Sequence, residues 1–484
     1  MTQFDILLKG GRLIDPSQDI DEEWGLAVAD GVVAALGPAI PSDSAGRILD
    51  VSGKVVTPGL IDMHTHLYVG ATEIGVDPDR FCLPEGITTA IDAGSSGAYN
   101  VEGLRRFAAE LSRTRVLAFL NIAATGLLDL EIPWQTFPQF TNVERADETL
   151  REHEEFLVGG KGRAGQLQLG QRGTEAVHLA RRASEKAGVP LMVHIGASPP
   201  LVHLLPLMGR GDILTHAFSA LTRLSWKDHR LEVEYQPRGT GKTLLDGEGH
   251  VLPEIWEAKK KGLHLDVGHG LNSFDFEVCQ GAIEECLVPD TISSDMHRLS
   301  VLSSTCELTT VMSKFLALGM PLSQVISCTT AKPAGAIGRA RELGTLRPGT
   351  VADVAVFELQ DGSYEFTDCA GHTLPGKRRL VTTDTIRNGM AVWTRKAYWW
   401  NDTHFPESTL YGHRHVARAG ISHMRGLCAT STQLGMTQDA GRLTVWVDPC
   451  ARKESYEAES GTDGQNESAA QSLDHDGFGT HCGG

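Results

Sequence analysis

The amino-acid sequence predicts an α/β protein in which a (β/α)₈ TIM barrel carries a small β-sandwich domain built from both flanks of the barrel. Two observations predict this class. Short apolar strands alternate with amphipathic helical stretches through residues 58–342, and repeated strand–helix units form parallel sheets. Strand patterns occupy residues 1–57 and 343–402 on either side, so the two flanks are expected to form one β domain.

The flanking segments have the two-residue periodicity and the turn dipeptides of β-strands. In the first flank, FDILLKGGRLID and GLAVADGVVAALG alternate apolar residues around turns such as Asp30-Gly31. In the second flank, TDTIRNGMAVW contains Asn388-Gly389, a pair that favours a two-residue hairpin. Both segments are therefore predicted to be strands of the sandwich.

The middle segment supplies the barrel. Its predicted strands include GITTAIDAG, TRVLAFLNIA, VPLMVHIG, GDILTHAF, GLHLDVGHG and DTISSDMH. Stretches such as NVEGLRRFAAELSR and GTEAVHLARRASEKAG place apolar residues at helical spacing between them. About eight such units indicate a closed barrel, whose active site lies at the C-terminal ends of the strands.

The last segment, residues 403–484, has a different composition. It ends in a polar run rich in Gly, Ser and acidic residues without periodicity, which is typical of chains that cannot bury enough apolar surface to fold. We predict a polar C-terminal tail that is largely disordered.

Composition narrows the partners and the compartment. A formal net charge of −17 argues against a nucleic-acid surface. The nine cysteines form no Cys-x-x-Cys pair, which favours a reducing cytoplasm over a disulfide framework. No signal peptide or apolar run long enough to span a bilayer is recognised. We expect a cytoplasmic protein with a small-molecule substrate, no membrane partner, and oligomerisation left open.

Side chains that can bind metals fall at the ends of the predicted barrel strands. His64 and His66 follow an apolar run, and alternate residues of a strand point to the same face. The others, in chain order, are Lys161, His194, His216, His269 and Asp295.

Each of these residues also has an ordinary explanation. A lone His-x-His pair is common by chance, and a single histidine is more often hydrogen-bonded in a core. Lys161 alone would be read as a surface lysine, and Asp295 could cap a helix. Their joint occurrence at strand ends favours a metal centre.

The chemistry of the set suits two divalent ions, with Zn²⁺ the first choice for imidazole and carboxylate ligands. A lysine amine becomes a bridging ligand if CO₂ converts it to a carbamate, so we expect a CO₂-derived carbamate on Lys161. Two ions about 3.5–4 Å apart can share a bridging hydroxide. Asp295 would be a ligand and the general base that accepts the hydroxide's proton.

At these residues the sequence resembles the amidohydrolase superfamily over residues 4–397. TPGLIDMHTH is similar to the superfamily's opening motif and LRPGTVADVAVF to its closing motif. HLDVGHG, ISSDMH and GKGRAG resemble the amidohydrolase/deacetylase, or dihydroorotase-like, metallohydrolase branch. The resemblance implies that His64 and His66 bind the more buried metal, with Lys161 as the bridge. It further implies that His194 and His216 bind the second metal and that His269 contacts the substrate.

Two departures from the family pattern bear on the activity. Dihydroorotases have an arginine just after the second histidine, where this chain has Leu67-Tyr68. Lys161 is flanked by Gly160 and Gly162 rather than by apolar residues.

The expected function is a metal-dependent deacetylase or amidohydrolase that cleaves an acyl amide or ester bond of a small molecule. The alternative is hydrolysis of cyclic amides, as by dihydroorotases and hydantoinases. A catalytically inactive barrel scaffold is the third possibility, which the complete ligand set disfavours.

Overall fold

The computed structural model describes residues 2–128, 137–165, 174–227, 230–235, 241–303 and 306–395, together with two later strands at 433–439 and 442–448. Four sheets are present in these parts of the chain. No helix in them is long and apolar enough to cross a membrane.

The largest sheet has seven parallel strands whose spatial order follows their order in the chain. The first strand is buried along its whole length, as expected where helices cover one face and a core fills the other. The strands are Leu60–Thr65, Ile87–Asp92, Arg115–Asn121, Leu157–Arg163, Leu191–His194, Ile213–Thr215 and His264–Leu265.

An eighth segment, 291–296, lies between the two edge strands of this sheet. Asp266 forms a parallel bridge with Thr291, and Thr65 forms one with Met296. The pairing is limited to isolated bridges, and Asp295 within the segment has a φ of +49°, which interrupts extended geometry. Seven strands of the predicted alternation are therefore present as one parallel sheet, and segment 291–296 pairs with its edge strands only through isolated bridges.

Helices and short helical turns connect the parallel strands. The longest ends at Gly188, whose φ of +74° is a conformation that glycine adopts without strain. The α-helices are Pro78–Phe81, Val101–Leu104, Val143–Glu152, Glu175–Ala187, Leu201–Leu204, Pro253–Lys260, Phe276–Glu284, Leu308–Ala317, Leu322–Ser327 and Ala331–Ala336. A π-helical turn spans Arg105–Ala109, and 3₁₀ turns span Ser42–Ser44, Leu83–Glu85, Pro138–Phe140, Leu205–Leu207 and Ser300–Leu302.

Two sheets come from the flanks. The four-stranded sheet has the order Val32–Gly37, Gly25–Ala29, Phe4–Lys9 and Ala45–Asp50. The six-stranded sheet has the order Met390–Thr394, Thr373–Arg387, Val354–Thr367, Val55–Pro58, Arg12–Asp15 and Ile20–Glu22.

The six-stranded sheet joins the two ends of the predicted barrel segment. Val55–Pro58 pairs antiparallel with Val354–Thr367, so strands from both flanks share one ladder. Leu8 and Val28 of the smaller sheet and Val56 and Val354 of the larger sheet belong to one buried apolar cluster. The two sheets therefore pack around a common core, as expected for a sandwich.

The fourth sheet includes part of the predicted tail. Leu221–Lys227 and Arg230–Tyr235 form a hairpin, and Arg230–Tyr235 also pairs with Arg442–Asp448. Gln433–Asp439 pairs with Arg442–Asp448. These two late strands lie in the first part of the predicted tail, where RLTVWVD has the alternation of a strand. The rest of the tail lies outside the described residues.

Candidate metal centre

The predicted ligands lie where parallel strands of the large sheet end. His64 is the penultimate residue of the first strand and His66 follows it. Lys161 and His194 lie in the last three residues of the fourth and fifth strands. His216 directly follows the sixth strand, and Asp295 lies in the bridging segment 291–296.

Four of these side chains lie close together and are buried. Nε2 of His64 lies 3.4 Å from Oδ1 of Asp295, and Nε2 of His66 lies 3.5 Å from the same oxygen. Ligand atoms of His64, His216 and Asp295 all lie within 4.8 Å of one another. Atoms that each lie ~2.0–2.2 Å from one zinc ion are roughly 3–4 Å apart, so the separations of His64 and His66 from Asp295 suit ligands of one ion.

A chain of hydroxyl and carboxylate groups orients His64. Nδ1 of His64 lies 2.7 Å from Oγ1 of Thr215, and that hydroxyl donates to Oδ2 of Asp266 at 2.7 Å. Because Thr215 has one proton and gives it to Asp266, its oxygen accepts from Nδ1–H of His64. Nε2 of His64 is then an unprotonated nitrogen that faces Asp295.

That nitrogen provides a test of whether the residues fit a metal ion. Nε2 of His64 is buried and has no hydrogen-bond partner among the described residues. Burial lowers the pKa of His64 well below its usual value, so the ring is neutral. A buried nitrogen lone pair that faces a carboxylate is unfavourable unless a cation lies between the two, so the residues fit a divalent ion.

His66 is oriented by a second set of contacts. Its Nδ1 lies 2.9 Å from Oγ of Ser95, and the backbone N–H of Ser95 donates to Asp92 at 2.7 Å. Asp92 also accepts from the backbone N–H of Leu67 at 2.8 Å. Metal-binding histidines are typically held in this way through the ring nitrogen that faces away from the metal.

His216 and His194 form a neighbouring pair. Nδ1 of His216 lies 2.6 Å from the carbonyl oxygen of Gly268, and its Nε2 lies 2.8 Å from Nδ1 of His194. Burial lowers the pKa of His216 to about 4 and that of His194 well below its usual value. Both rings are thus neutral at physiological pH, the form in which imidazole binds metals.

Lys161 is fully buried in the parallel sheet rather than on the surface. Its Nζ lies 3.0 Å from Sδ of Met192, a weak acceptor. Burial lowers the pKa of the Lys161 amine to about 7, and the guanidinium of Arg163 acts in the same direction. The flanking glycines leave the neighbouring helix room to pack closely, since a side chain at Gly160 would meet Oγ of Ser184 at 2.2 Å.

Two ligand positions have left-handed backbone conformations. His216 has a φ of +65° and Asp295 a φ of +49°, and such residues cluster at functional sites. Gly270 approaches Asp295 so closely that an added Cβ would lie 2.5 Å from Oδ2 of Asp295. An added Cβ at Gly268 would lie 2.7 Å from Nδ1 of His216. The two glycines allow this loop to close over the ligands.

His269, between those glycines, does not join the group. Its Nδ1 lies 2.8 Å from the carbonyl oxygen of Gly270, and its Nε2 lies 2.7 Å from Nζ of Lys314. The ring is buried and stacks on Phe274 with centroids 4.6 Å apart. Both ring nitrogens therefore contact the protein, and the expected substrate contact remains a prediction.

Several residues around the centre were not singled out from the sequence. Thr215 and Asp266 orient His64, and Lys314 contacts His269. Asp62 accepts from the backbone N–H of His64 at 3.2 Å and from the backbone N–H of Ser294 at 3.1 Å. Asp62 and Asp266 lie beside the motif histidines in IDMHTH and LDVGHG, so a search for carboxylates next to ligands would have found them.

Comparison with known proteins identifies the family. Deacetylase Atu3266 of Agrobacterium fabrum is 33% identical over 351 residues, which cover 72% of this chain and 81% of that protein. A deacetylase of Enterococcus faecalis is 29% identical over 391 residues, which cover 80% of this chain and 98% of that protein. The amidohydrolase family profile matches residues 240–392. The chain belongs to the amidohydrolase superfamily.

Solved structures agree with this membership and extend it to the fold. A dihydroorotase superposes with a TM-score of 0.69 at 31% identity, covering 80% of this chain and 97% of its own. An adenine deaminase superposes with a TM-score of 0.72 at 27% identity, covering 81% of this chain and 100% of its own. The amidohydrolase fold here is of the TIM-barrel type with a separate domain.

Proposed function

We propose that this amidohydrolase is a metal-dependent hydrolase, a deacetylase or amidohydrolase in the wider sense, which cleaves an acyl amide or ester bond of a small molecule. The observation that carries the proposal is the buried, unpartnered Nε2 of His64, 3.4 Å from the Asp295 carboxylate. The two relatives that are named deacetylases support the choice of bond.

The proposed ligand set follows the strand ends. His64 and His66 would hold one divalent ion, and His194 and His216 would hold a second. A carbamate on Lys161 and the Asp295 carboxylate would be further ligands. Zinc is the favoured metal because imidazole and carboxylate ligands suit it. When bound, the ions supply Lewis-acid activation of the carbonyl and of the attacking water.

The chain's own groups supply proton transfer and orientation. The Asp295 carboxylate takes the proton of the attacking water and passes it to the leaving group, as a general base and then a general acid. Thr215 and Ser95 hold the imidazoles of His64 and His66 in a fixed orientation. Arg163 ends the strand that contains Lys161 and is buried, and its positive charge helps to lower the pKa of the Lys161 amine.

The finer architecture forms part of the proposal. Segment 291–296 is the eighth strand that closes the barrel, supported by its bridges to both edge strands. The proposed boundaries place the barrel at 58–342 and the two parts of the sandwich at 1–57 and 343–402.

A second candidate is hydrolysis of a cyclic amide, favoured by the likeness to the solved dihydroorotase. The residues after His66 weigh against it. Leu67 is fully buried, and the Tyr68 hydroxyl donates to the carbonyl oxygen of Asn100 at 3.0 Å. Neither side chain offers the cation that a dihydroorotase uses there to hold its substrate carboxylate.

A substrate panel on the zinc-loaded protein tests these two functions. N-acyl amino acids and O-acyl hydroxy acids are compared with dihydroorotate and hydantoins, with Asp295→Asn as the control. Hydrolysis of the acyl compounds that is lost in the control supports the proposal. Turnover of the cyclic compounds alone would overturn it in favour of the second candidate, and no turnover of either set would favour the inactive scaffold.

A further inference from the structure

A second group of metal-binding side chains lies outside the centre at the strand ends. It consists of Asp275, just before the helix Phe276–Glu284, and of Asp368 and His372 in the turn between Val354–Thr367 and Thr373–Arg387. We call these three residues the hairpin cluster. Their ligand atoms all lie within 4.8 Å of one another.

The distances in the hairpin cluster resemble the edges of a metal coordination polyhedron. Nδ1 of His372 lies 3.1 Å from Oδ2 of Asp368 and 3.8 Å from Oδ2 of Asp275. Ligands bound to zinc at ~2.0–2.2 Å are separated by roughly 3–4 Å. The three side chains therefore need little movement to hold one ion.

One carboxylate oxygen of the cluster is left without a donor. Asp275 is 1% exposed, and its Oδ1 caps the helix by accepting from the backbone N–H of Val278 at 2.9 Å. Its Oδ2 is buried and has no hydrogen-bond partner among the described residues. A buried carboxylate oxygen without a donor or cation is unfavourable, so this atom points to a missing positive group.

The carboxylate of Asp368 adds a second negative charge to the cluster. Both oxygens of Asp368 accept from backbone N–H groups, of Phe276 at 3.0 Å and of His372 at 2.8 Å, and these contacts fix it beside Asp275. Burial raises the pKa of Asp275 to about 6, and the charge of Asp368 contributes to the rise. Two carboxylates thus share one half-exposed imidazole.

We propose that Asp275, Asp368 and His372 bind a divalent transition-metal ion such as Zn²⁺, separate from the ions at the strand ends. Two carboxylates and one imidazole are ligands that zinc accepts, and water completes the coordination of such a site. The His372 side chain is 50% exposed, which gives the ion a path from solvent.

The ion would fasten the hairpin turn to the loop that closes over the proposed catalytic ligands. The turn already contacts that loop, because the backbone N–H of Cys369 donates to the carbonyl oxygen of Phe274 at 3.1 Å. Sγ of Cys369 lies 3.6 Å from the carbonyl oxygen of His269. A metal at the hairpin cluster would therefore stabilise the loop at residues 268–270 without contacting the substrate.

The proposal is tested by zinc stoichiometry on the full-length protein. Metal-free wild type, His372→Gln and Asp275→Asn are dialysed against Zn²⁺, and bound zinc is measured by mass spectrometry. Asparagine keeps an oxygen for the helix cap, and circular dichroism without zinc checks that each variant folds. We expect both variants to bind one equivalent less than wild type and to lose part of the zinc-induced rise in Tm.

The matched control is His250→Gln. His250 is an exposed histidine whose Nδ1 lies 2.9 Å from a carboxylate oxygen of Glu285, so the variant removes a similar ion pair elsewhere. It should bind as much zinc as wild type. If His372→Gln and Asp275→Asn also retain the full stoichiometry, the proposal is wrong. The cluster would then be balanced by a protonated His372 or by a water shared with Tyr235, whose buried hydroxyl lacks a partner among the described residues.

Discussion

The centre at the strand ends and the hairpin cluster contain similar side chains but are built differently. At the strand ends, His64, His66 and His216 are each held from behind by Thr215, Ser95 or a backbone carbonyl. In the hairpin cluster, His372 is half exposed and lies on a turn. The first arrangement fixes ring orientation before any ligand arrives, as catalysis requires, whereas the second is suited to stabilising two segments against each other.

The largest expected difference between the two sites concerns Asp295. Asparagine tolerates the left-handed backbone of that position but cannot take a proton from water. We expect Asp295→Asn to lower kcat/KM by ~10²–10⁴-fold, measured on the best substrate of the panel. His372→Gln should leave kcat/KM within a few-fold of wild type, and an equal loss in both variants would remove the distinction between the sites.

Lys161→Met tests the proposed carbamate on Lys161. Methionine matches the length of the buried stem but cannot react with CO₂, so we expect loss of activity greater than the ~10–100-fold typical of groups that only orient ligands. The direct measurement is carbon-13 NMR after incubation with labelled bicarbonate. A carbamate signal should be present in wild type and absent in the variant; a signal missing from active wild-type protein would show that Lys161 is an ordinary buried amine.

Thr215→Val tests whether the hydrogen bond between Thr215 and the His64 ring contributes to metal binding. Valine keeps the shape but leaves Nδ1–H of His64 without an acceptor, so zinc affinity at the strand ends should fall ~10–100-fold. Competition with a chromogenic chelator measures this affinity. Thr215→Ser retains the hydroxyl and should restore it. If valine and serine behave alike, the hydroxyl does not set the orientation of His64.

The smallest effect is expected at Tyr68, which stands where a dihydroorotase has its arginine. Tyr68→Phe removes the hydrogen bond to Asn100, so the free energy of unfolding should fall by ~0.5–1.5 kcal/mol, measured by urea denaturation. Because the hydroxyl is hydrogen-bonded to the backbone of Asn100, we expect no change in KM. A rise in KM would assign Tyr68 to the substrate pocket and strengthen the cyclic-amide alternative.

The sequence could group the candidate ligands at the strand ends because one rule places them all. Parallel strands end on the same rim, so His194 and Asp295 could be grouped without knowing any distance. Lys314 could not be found in this way, because it lies on a helix and reaches His269 only through packing. The pairing of Arg230–Tyr235 with Arg442–Asp448 joins segments far apart in the chain, which local periodicity does not reveal.

The hairpin cluster escaped prediction for a related reason. The sequence indicates a helix cap at Asp275, and Asp275 does cap a helix. Asp368 and His372 have the pattern of turn residues. Only the register of the long hairpin brings them to the helix N-terminus. Side chains with an adequate local explanation give no sign of a second partner, and here the orphaned oxygen of Asp275 was visible only in three dimensions.

The order of strands in the six-stranded sheet also has a consequence for synthesis on the ribosome. Val55–Pro58 borders Arg12–Asp15 on one side and Val354–Thr367 on the other. One edge of Val55–Pro58 therefore stays unpaired until the ribosome has translated the whole barrel segment. An unpaired strand edge invites association between chains. Nascent chains stalled before residue 354 should therefore be sensitive to protease within their first flank, and chains extended beyond residue 387 should be protected there.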